Sequence, residues 1–212
     1  MNMTTLGEYM PLVLQGLVST ISITLLSLAL GTLLGGCVYA MGQNRRRWVR
    51  EVARWWRYIV RGTPLMMLIL FIFFVVFSGG NGFLAAVLAF AVNFSNFACS
   101  VFQSSFEAVG RGQVEAAKAL GLTPMQTLRH VVVPQAWHYA MGPFKFQATS
   151  LLKGTAVVGY ASIPDLTQAV QAIRTGTGEM LLPLLAATAV YFMLAWLLNK
   201  LLDQTLKIAD RK

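Results

Sequence analysis

The sequence predicts an all-α membrane protein of five transmembrane helices, and three observations predict it. Of 212 residues, 56% are hydrophobic and 12% charged, about half the charge of a soluble domain. Uncharged runs long enough to cross a bilayer recur along the chain. The few charges sum to +9, from 17 Lys and Arg against 8 Asp and Glu, and most fall between those runs. Apolar bulk with basic loops is the pattern of a polytopic membrane protein whose basic loops stay cytoplasmic. It excludes a disordered chain, a disulfide-framed secreted domain and an ordinary soluble enzyme. The length suits one domain, residues 1–212.

The first ten residues carry Glu8 and no Lys or Arg. They lack the basic start of a cleaved signal peptide, so the first apolar run is expected to stay as a span. No charge falls between Tyr9 and Asn44, which places span one near residues 12–41. Gly31 and Gly35 within it form a G-x-x-x-G pair, a spacing that admits a second helix at close range. Residues 45–61, RRRWVREVARWWRYIVR, hold seven Arg and three Trp. Between two spans this reads as a cytoplasmic segment on the membrane surface, with Trp in the interface and Arg toward lipid phosphates, rather than as a nucleic-acid site.

Residues 62–106 carry no charge and are too long for one helix. The glycine-rich stretch Ser78-Gly79-Gly80-Asn81-Gly82 divides them into spans near 64–78 and 83–106. Residues 107–139 are polar and return the chain to the cytoplasm. The fourth span, 140–160, is the weakest, because it contains Lys145, Gln147 and Lys153. Residues 163–179 form a mixed segment outside, where Asp165 and Glu179 are candidates to meet a partner protein. The fifth span is 181–202, and its carboxyl end and tail carry Lys200, Lys207, Arg211 and Lys212. Basic residues then lie inside at every crossing, with the amino end outside and the carboxyl end inside.

Polar groups facing hydrocarbon are costly, so polar stripes on spanning helices mark interior faces. Asn93, Asn96, Ser100, Gln103, Ser104 and Glu107 recur at steps of three and four, within an arc of about 100°. They face either neighbouring helices or a water-filled route. In the fourth span Lys145, Thr149 and Lys153 share a face, with Gln147, Ser150 and Gly154 beside it. Lys145 is long enough to reach the inner surface. Lys153 reaches the outer surface or faces a cavity, where its ammonium needs an anionic partner. The candidate pathway set is Asn93, Asn96, Ser100, Gln103, Gln147, Ser150, Lys153 and Thr155. Cys37 and Cys99 sit in apolar runs as packing residues, and with His130 and His138 they offer no metal site.

The cytoplasmic loop, residues 110–137, carries the most specific pattern. Gln113 to Leu120 is a helix former, and Gly121 suits a left-handed helix end. Thr123-Pro124-Met125-Gln126 starts a second helix: Thr123 caps it, Pro124 suits its first position and Gln126 closes a capping box. Pro134 is expected to end it. The result is a stiff two-helix corner, either a docking element or a simple surface hairpin.

EAAKALG, residues 115–121, with Val133-Pro134 downstream, resembles the EAA signature of bacterial ABC importer permeases. RGTPL, from Arg61, Gly62, Thr63 and Pro64 onward, and SLLKGTAVVGYASIPDLTQAVQ resemble the polar amino-acid branch, the histidine/glutamine type. The resemblance covers most of the chain. It implies the type I importer permease fold, with the loop as the coupling helix. Glu115, Ala116, Ala117, Gly121, Leu122, Pro124 and Pro134 would then meet the ATPase. It implies two cytoplasmic ATPase subunits, a second permease chain, identical or homologous, and a periplasmic or lipid-anchored substrate-binding protein, in the bacterial inner membrane. The family commonly has an acidic residue where Ser100 stands, Arg where Gln103 stands, Pro at Gly110 and Asp at Gly154. Those departures leave room for a modified or less polar amino-acid derivative as ligand. A secondary transporter or channel should show inverted repeats or a broken pair of helices in the two halves, and neither is read in the sequence.

No G-x-x-x-x-G-K-[ST] phosphate loop occurs, so ATP and Mg are expected on a partner ATPase, with no cofactor in this chain. No nucleophile elbow, zinc-protease motif or paired-carboxylate site stands within a span, so no catalytic residue is expected here.

Overall fold

The computed structural model of the chain describes residues 3–161 and 163–209. Arg211 and Lys212 of the basic tail lie outside the described residues, and so does the side chain of Lys207. All regular structure among the described residues is helical. In chain order the elements are α1 (Met3–Gly42), α2 (Arg47–Gly62) and α3 (Leu65–Phe71), which widens into a π-type turn at Ile72–Val76. Then come α4 (Gly82–Ala108), α5 (Arg111–Ala119) and α6 (Pro124–Thr127). A second π-type stretch, Leu128–Val132, leads into α7 (Val133–Gly154), a 3-10 segment (Thr155–Ala161), α8 (Leu166–Thr177) and α9 (Leu181–Ala209).

Among the described residues, three helices are long and apolar enough to cross a membrane: Gly7–Gly42, Gly82–Ala108 and Leu181–Thr205. A fourth span arises if Arg47–Gly62 and Leu65–Val76, bent by 105°, are taken together. The bend sits at Thr63 (φ −93°, ψ 121°). Pro64 disfavours a helical residue before it, so the break is written in the sequence. Residues 65–76 rise about 18 Å at 1.5 Å per residue, less than the 64–78 span expected and short of a full bilayer. The expected 140–160 span is not among these helices: α7 starts at Val133, and residues 155–161 are a 3-10 segment.

Pro134 does not end the second loop helix. The Val133 N–H bonds Leu128 O, five residues back. This wider turn carries the chain into α7, where Pro134 takes an early position that needs no N–H. One helical rod therefore joins the loop to the membrane bundle.

The register of the bundle follows from a few contacts. α1 and α4 run parallel. Ser27 Oγ donates to Val87 O at 3.1 Å, Gly31 lies against Ala91 and Phe94, and Gly35 lies against Ser95 and Ala98. A Cβ at Gly35 would stand 2.6 Å from Ala98 Cβ, so the G-x-x-x-G pair is where the two backbones meet. α7 runs antiparallel to α4: Phe144 packs edge-on against Phe94, centroids 5.6 Å apart, while Gly154 meets Phe90. α9 runs antiparallel to α7, since Lys145 pairs with Asp203 and the Thr167 and Tyr191 hydroxyls near the other end are 3.3 Å apart. The buried core is Ile23, Ile69, Phe90, Phe94, Ala148, Leu151 and their neighbours. One end of the bundle holds α8, docked on α1 by a bond from Leu166 N–H to Thr20 Oγ1. The opposite end holds α2 and the α5–α6 corner.

Candidate functional site

Two structures occupy that end. The first is the corner. At the end of α5, Gly121 has φ +80°. Its N–H bonds Lys118 O at 2.9 Å, and the Leu122 N–H bonds Ala117 O at 3.1 Å. This is a Schellman closure, and the positive φ favours glycine. Thr123 then opens α6. Its Oγ1 accepts from Gln126 N at 3.3 Å, and its N–H donates to Gln126 Oε1 at 2.9 Å, which completes the capping box. Glu115, Ala116, Gly121, Pro124 and Pro134 are exposed. Leu122 is half-buried, while Ala117 is buried at 4%. Ala117 thus packs the hairpin instead of presenting itself to a partner. The most exposed apolar groups on the corner are Leu120 (81%) and Met125 (70%), which the motif alone does not single out.

The second structure is a cleft of about 820 Å³ between α2, α4 and the carboxyl end of α1, bounded also by Gln147 of α7. α2 has three faces at 100° per residue. Trp48, Val52, Trp55 and Ile59 are exposed and apolar. Val49, Ala53 and Val60 are buried, Ala53 against Val38 and Cys99. Arg47, Arg50, Arg54, Arg57 and Arg61 share an arc of about 80°. Arg50, Arg54, Arg57 and Arg61 line the cleft. Arg57 alone of these is half-buried; Arg50, Arg54 and Arg61 border the cleft and stay exposed, as does the Trp side.

Arg57 Nη1 donates to Gln103 Oε1 at 3.1 Å and its Nη2 to Ser100 Oγ at 3.4 Å. Gln103 Nε2 donates onward to Glu107 Oε1 at 3.0 Å. Trp56 Nε1 donates to Ser95 Oγ at 3.2 Å, so two adjacent residues pin α2 to α4.

Of the expected pathway residues, Asn93, Asn96, Ser100, Gln103 and Gln147 line this cleft together. Ser150, Lys153 and Thr155 do not. Thr155 is fully buried, and its hydroxyl donates to Leu152 O at 2.8 Å. Lys153 is exposed near the end of α7 that faces α8. Lys145, at the other end, is tied to Asp203 of α9. Of the family motif, Arg61 faces the cleft, Thr63 Oγ1 closes α2 on Ile59 O at 2.8 Å, Gly62 ends α2, and Pro64 fixes the bend.

Asp165 is not displayed for a partner protein. It is 1% exposed and caps α8, accepting from Gln168 N at 2.7 Å, while its Oδ2 has no hydrogen-bond partner among the described residues. Burial pushes its carboxyl above the usual range, against the opposing pull of its backbone and hydroxyl donors. Glu179 is exposed. No group of three His, Cys, Asp or Glu among the described residues is placed to hold a metal.

The comparisons with known proteins agree with this geometry. A probable amino-acid ABC transporter permease protein of Sinorhizobium fredii is 29% identical over 188 residues, 87% of this chain and 81% of that protein. The L-cystine transport system permease protein TcyB of Bacillus subtilis is 29% identical over 197 residues, 91% and 84% of the two chains. Among solved structures, an amino acid ABC transporter crystallised with histidines superposes with a TM-score of 0.85 at 28% identity, covering 98% of both chains. The inward-facing MetNI methionine ABC transporter gives 0.79 at 20% identity and shares the fold. Residues 27–212 match the family described as binding-protein-dependent transport system inner membrane component. The chain is an integral membrane protein and belongs to that family of transporter permeases.

Proposed function

We propose that this chain is half of the translocation pathway of an ATP-driven importer for amino acids or amino-acid-like ligands in the bacterial inner membrane. The observation that carries the reading is the stiff α5–α6 corner, continuous with a bundle helix and projecting at the end opposite α8. Such a rod transmits displacement from a docked partner into the bundle. The parallel run of α1 and α4 supports a return crossing between them, and in this reading α2–α3 is the second of five crossings. α7 and α9 are then the fourth and fifth. The arginines of α2 put its end on the cytoplasmic side, with the amino end outside.

A second permease chain would face the cleft side across a shared axis. Two ATPase subunits, which bind the ATP and Mg, would seat Glu115, Ala116, Leu120 and Met125. A periplasmic or lipid-anchored binding protein would deliver ligand at the α8 end. Closure of the ATPases draws the corners together and shifts the bundle between two access states. The test is copurification of the chain with an ATPase, followed by uptake of labelled amino acids into proteoliposomes. ATP-dependent accumulation is expected. Accumulation without ATP would overturn the reading.

A further inference from the structure

We infer that the cleft between α2 and α4 selects a solute of net negative charge, a dicarboxylic or otherwise anionic amino acid, and that Arg57 is the residue that reads this charge. The inference rests on the importer reading above and names its substrate class. Four guanidinium groups line one wall of the cleft, from Arg50, Arg54, Arg57 and Arg61, and no carboxylate lies among the lining residues. Opposite them stand the amides and hydroxyl of Asn93, Asn96, Ser100, Gln103 and Gln147. Arg54 is paired with Glu51 at 2.9 Å, so the net positive charge of this wall rests mainly on Arg50, Arg57 and Arg61. Arg57 is half-buried, and the hydrogen bonds described above go to neutral oxygens on Gln103 and Ser100.

A guanidinium has five N–H donors in a planar fork matched to a carboxylate. Two are oriented by α4, which fixes the plane and leaves others for a ligand in the cleft. A neutral zwitterion supplies one carboxylate and brings an ammonium that finds only amide and hydroxyl oxygens. A cationic solute meets net like charge, because the two acids bonded to the lining, Glu51 on Arg54 and Glu107 on Gln103, are fewer than the four arginines. A second carboxylate on the solute balances the wall. The same chemistry would attract a lipid phosphate. But the lipid-suited face of α2, with Trp48 and Trp55, points away from the arginine arc, and Arg57 is half-buried against α4, while Arg50, Arg54 and Arg61 are exposed.

The test uses the purified intact transporter in nanodiscs of zwitterionic lipid, with L-glutamate, L-glutamine and L-lysine as radiolabelled probes. Glutamate is expected to bind about tenfold or more tightly than the other two. Arg57→Gln should abolish that preference, and Arg57→Lys should keep part of it, which guards against a merely misfolded variant. Discs containing phosphatidylglycerol should give the same preference. Equal binding of the three probes would overturn the inference. So would an Arg57→Gln variant that sheds bound phosphatidylglycerol yet keeps the glutamate preference, which would make lipid the anion. ATP-driven uptake of amino acids by the same preparation separates the two levels. Uptake without glutamate preference removes this inference alone, whereas no ATP-driven uptake of any amino acid removes the importer reading.

Discussion

A Cβ placed on Gly35 would fall 2.6 Å from the Cβ of Ala98, so at this level α1 and α4 touch through their backbones. Neither helix can move aside cheaply, because Gly31 makes the same approach one turn earlier, against Ala91 O and Phe94. Gly35→Val is therefore expected to lower stability by about 1–3 kcal/mol, the usual result of overpacking. Gly36→Ala, whose new Cβ would meet Phe102 at an ordinary 3.6 Å, should change little. Thermal unfolding of both variants in detergent checks the contrast.

Lys145 and Asp203 link α7 to α9 across 58 residues of sequence. Both side chains are partly exposed, 25% and 48%, so their coupling should be on the order of 1 kcal/mol or less. Lys145→Met and Asp203→Asn should each destabilise, and the swapped pair Lys145→Asp with Asp203→Lys should recover most of the loss. A double-mutant cycle measures the coupling; additive effects would show that the pair contributes nothing.

Asp165 combines a helix cap with a buried, half-satisfied carboxylate. Its carboxyl is raised by burial, so the folded state keeps this proton to higher pH than the unfolded chain, whose value is about 3.9. The group is thus most favourable to folding at low pH, and that contribution is lost as pH climbs from about 3.9 through the raised folded value. Asn also caps helices well. Asp165→Asn should match or exceed the wild type in stability at pH 7, with the difference vanishing near pH 4. Asp165→Ala, which lacks the cap, should cost about 1 kcal/mol. Unfolding across that pH range reads both effects.

At Gly121 the Schellman closure needs positive φ. A β-branched residue there pays about 1–2 kcal/mol for the left-handed conformation and opens the angle between α5 and α6. Gly121→Val should leave the protein in the membrane at near-normal abundance while sharply lowering ATP-driven uptake. Gly121→Asn, tolerated in such caps, should keep most of it. Immunoblotting with uptake on the same vesicles separates assembly from coupling.

Much of this is legible in the sequence. The corner can be read because Gly121, Thr123, Pro124 and Gln126 are local signals acting over a few residues. The α4 stripe can be read because lipid penalises polar groups. The arginine face of α2 obeys the same three-and-four spacing. Yet seven Arg among three Trp equally describes a helix lying on the membrane, and only the packing of Val49, Ala53 and Val60 decides which way the arginines turn. The Lys145–Asp203 pair and the burial of Asp165 depend on which helices become neighbours, so no local pattern announces them. Pro134 misleads for a related reason: its usual helix-breaking effect is absorbed by the wide turn at residues 128–132.

The most direct measurement places a photo-crosslinking amino acid at Met125, on the corner, and in a second variant at Gly178, beyond α8. Irradiation of intact membranes, followed by mass spectrometry, should attach Met125 variants to an ATP-binding subunit and Gly178 variants to none. An ATPase captured from position 178, or a corner that captures no subunit in membranes carrying out ATP-driven uptake, would contradict the account.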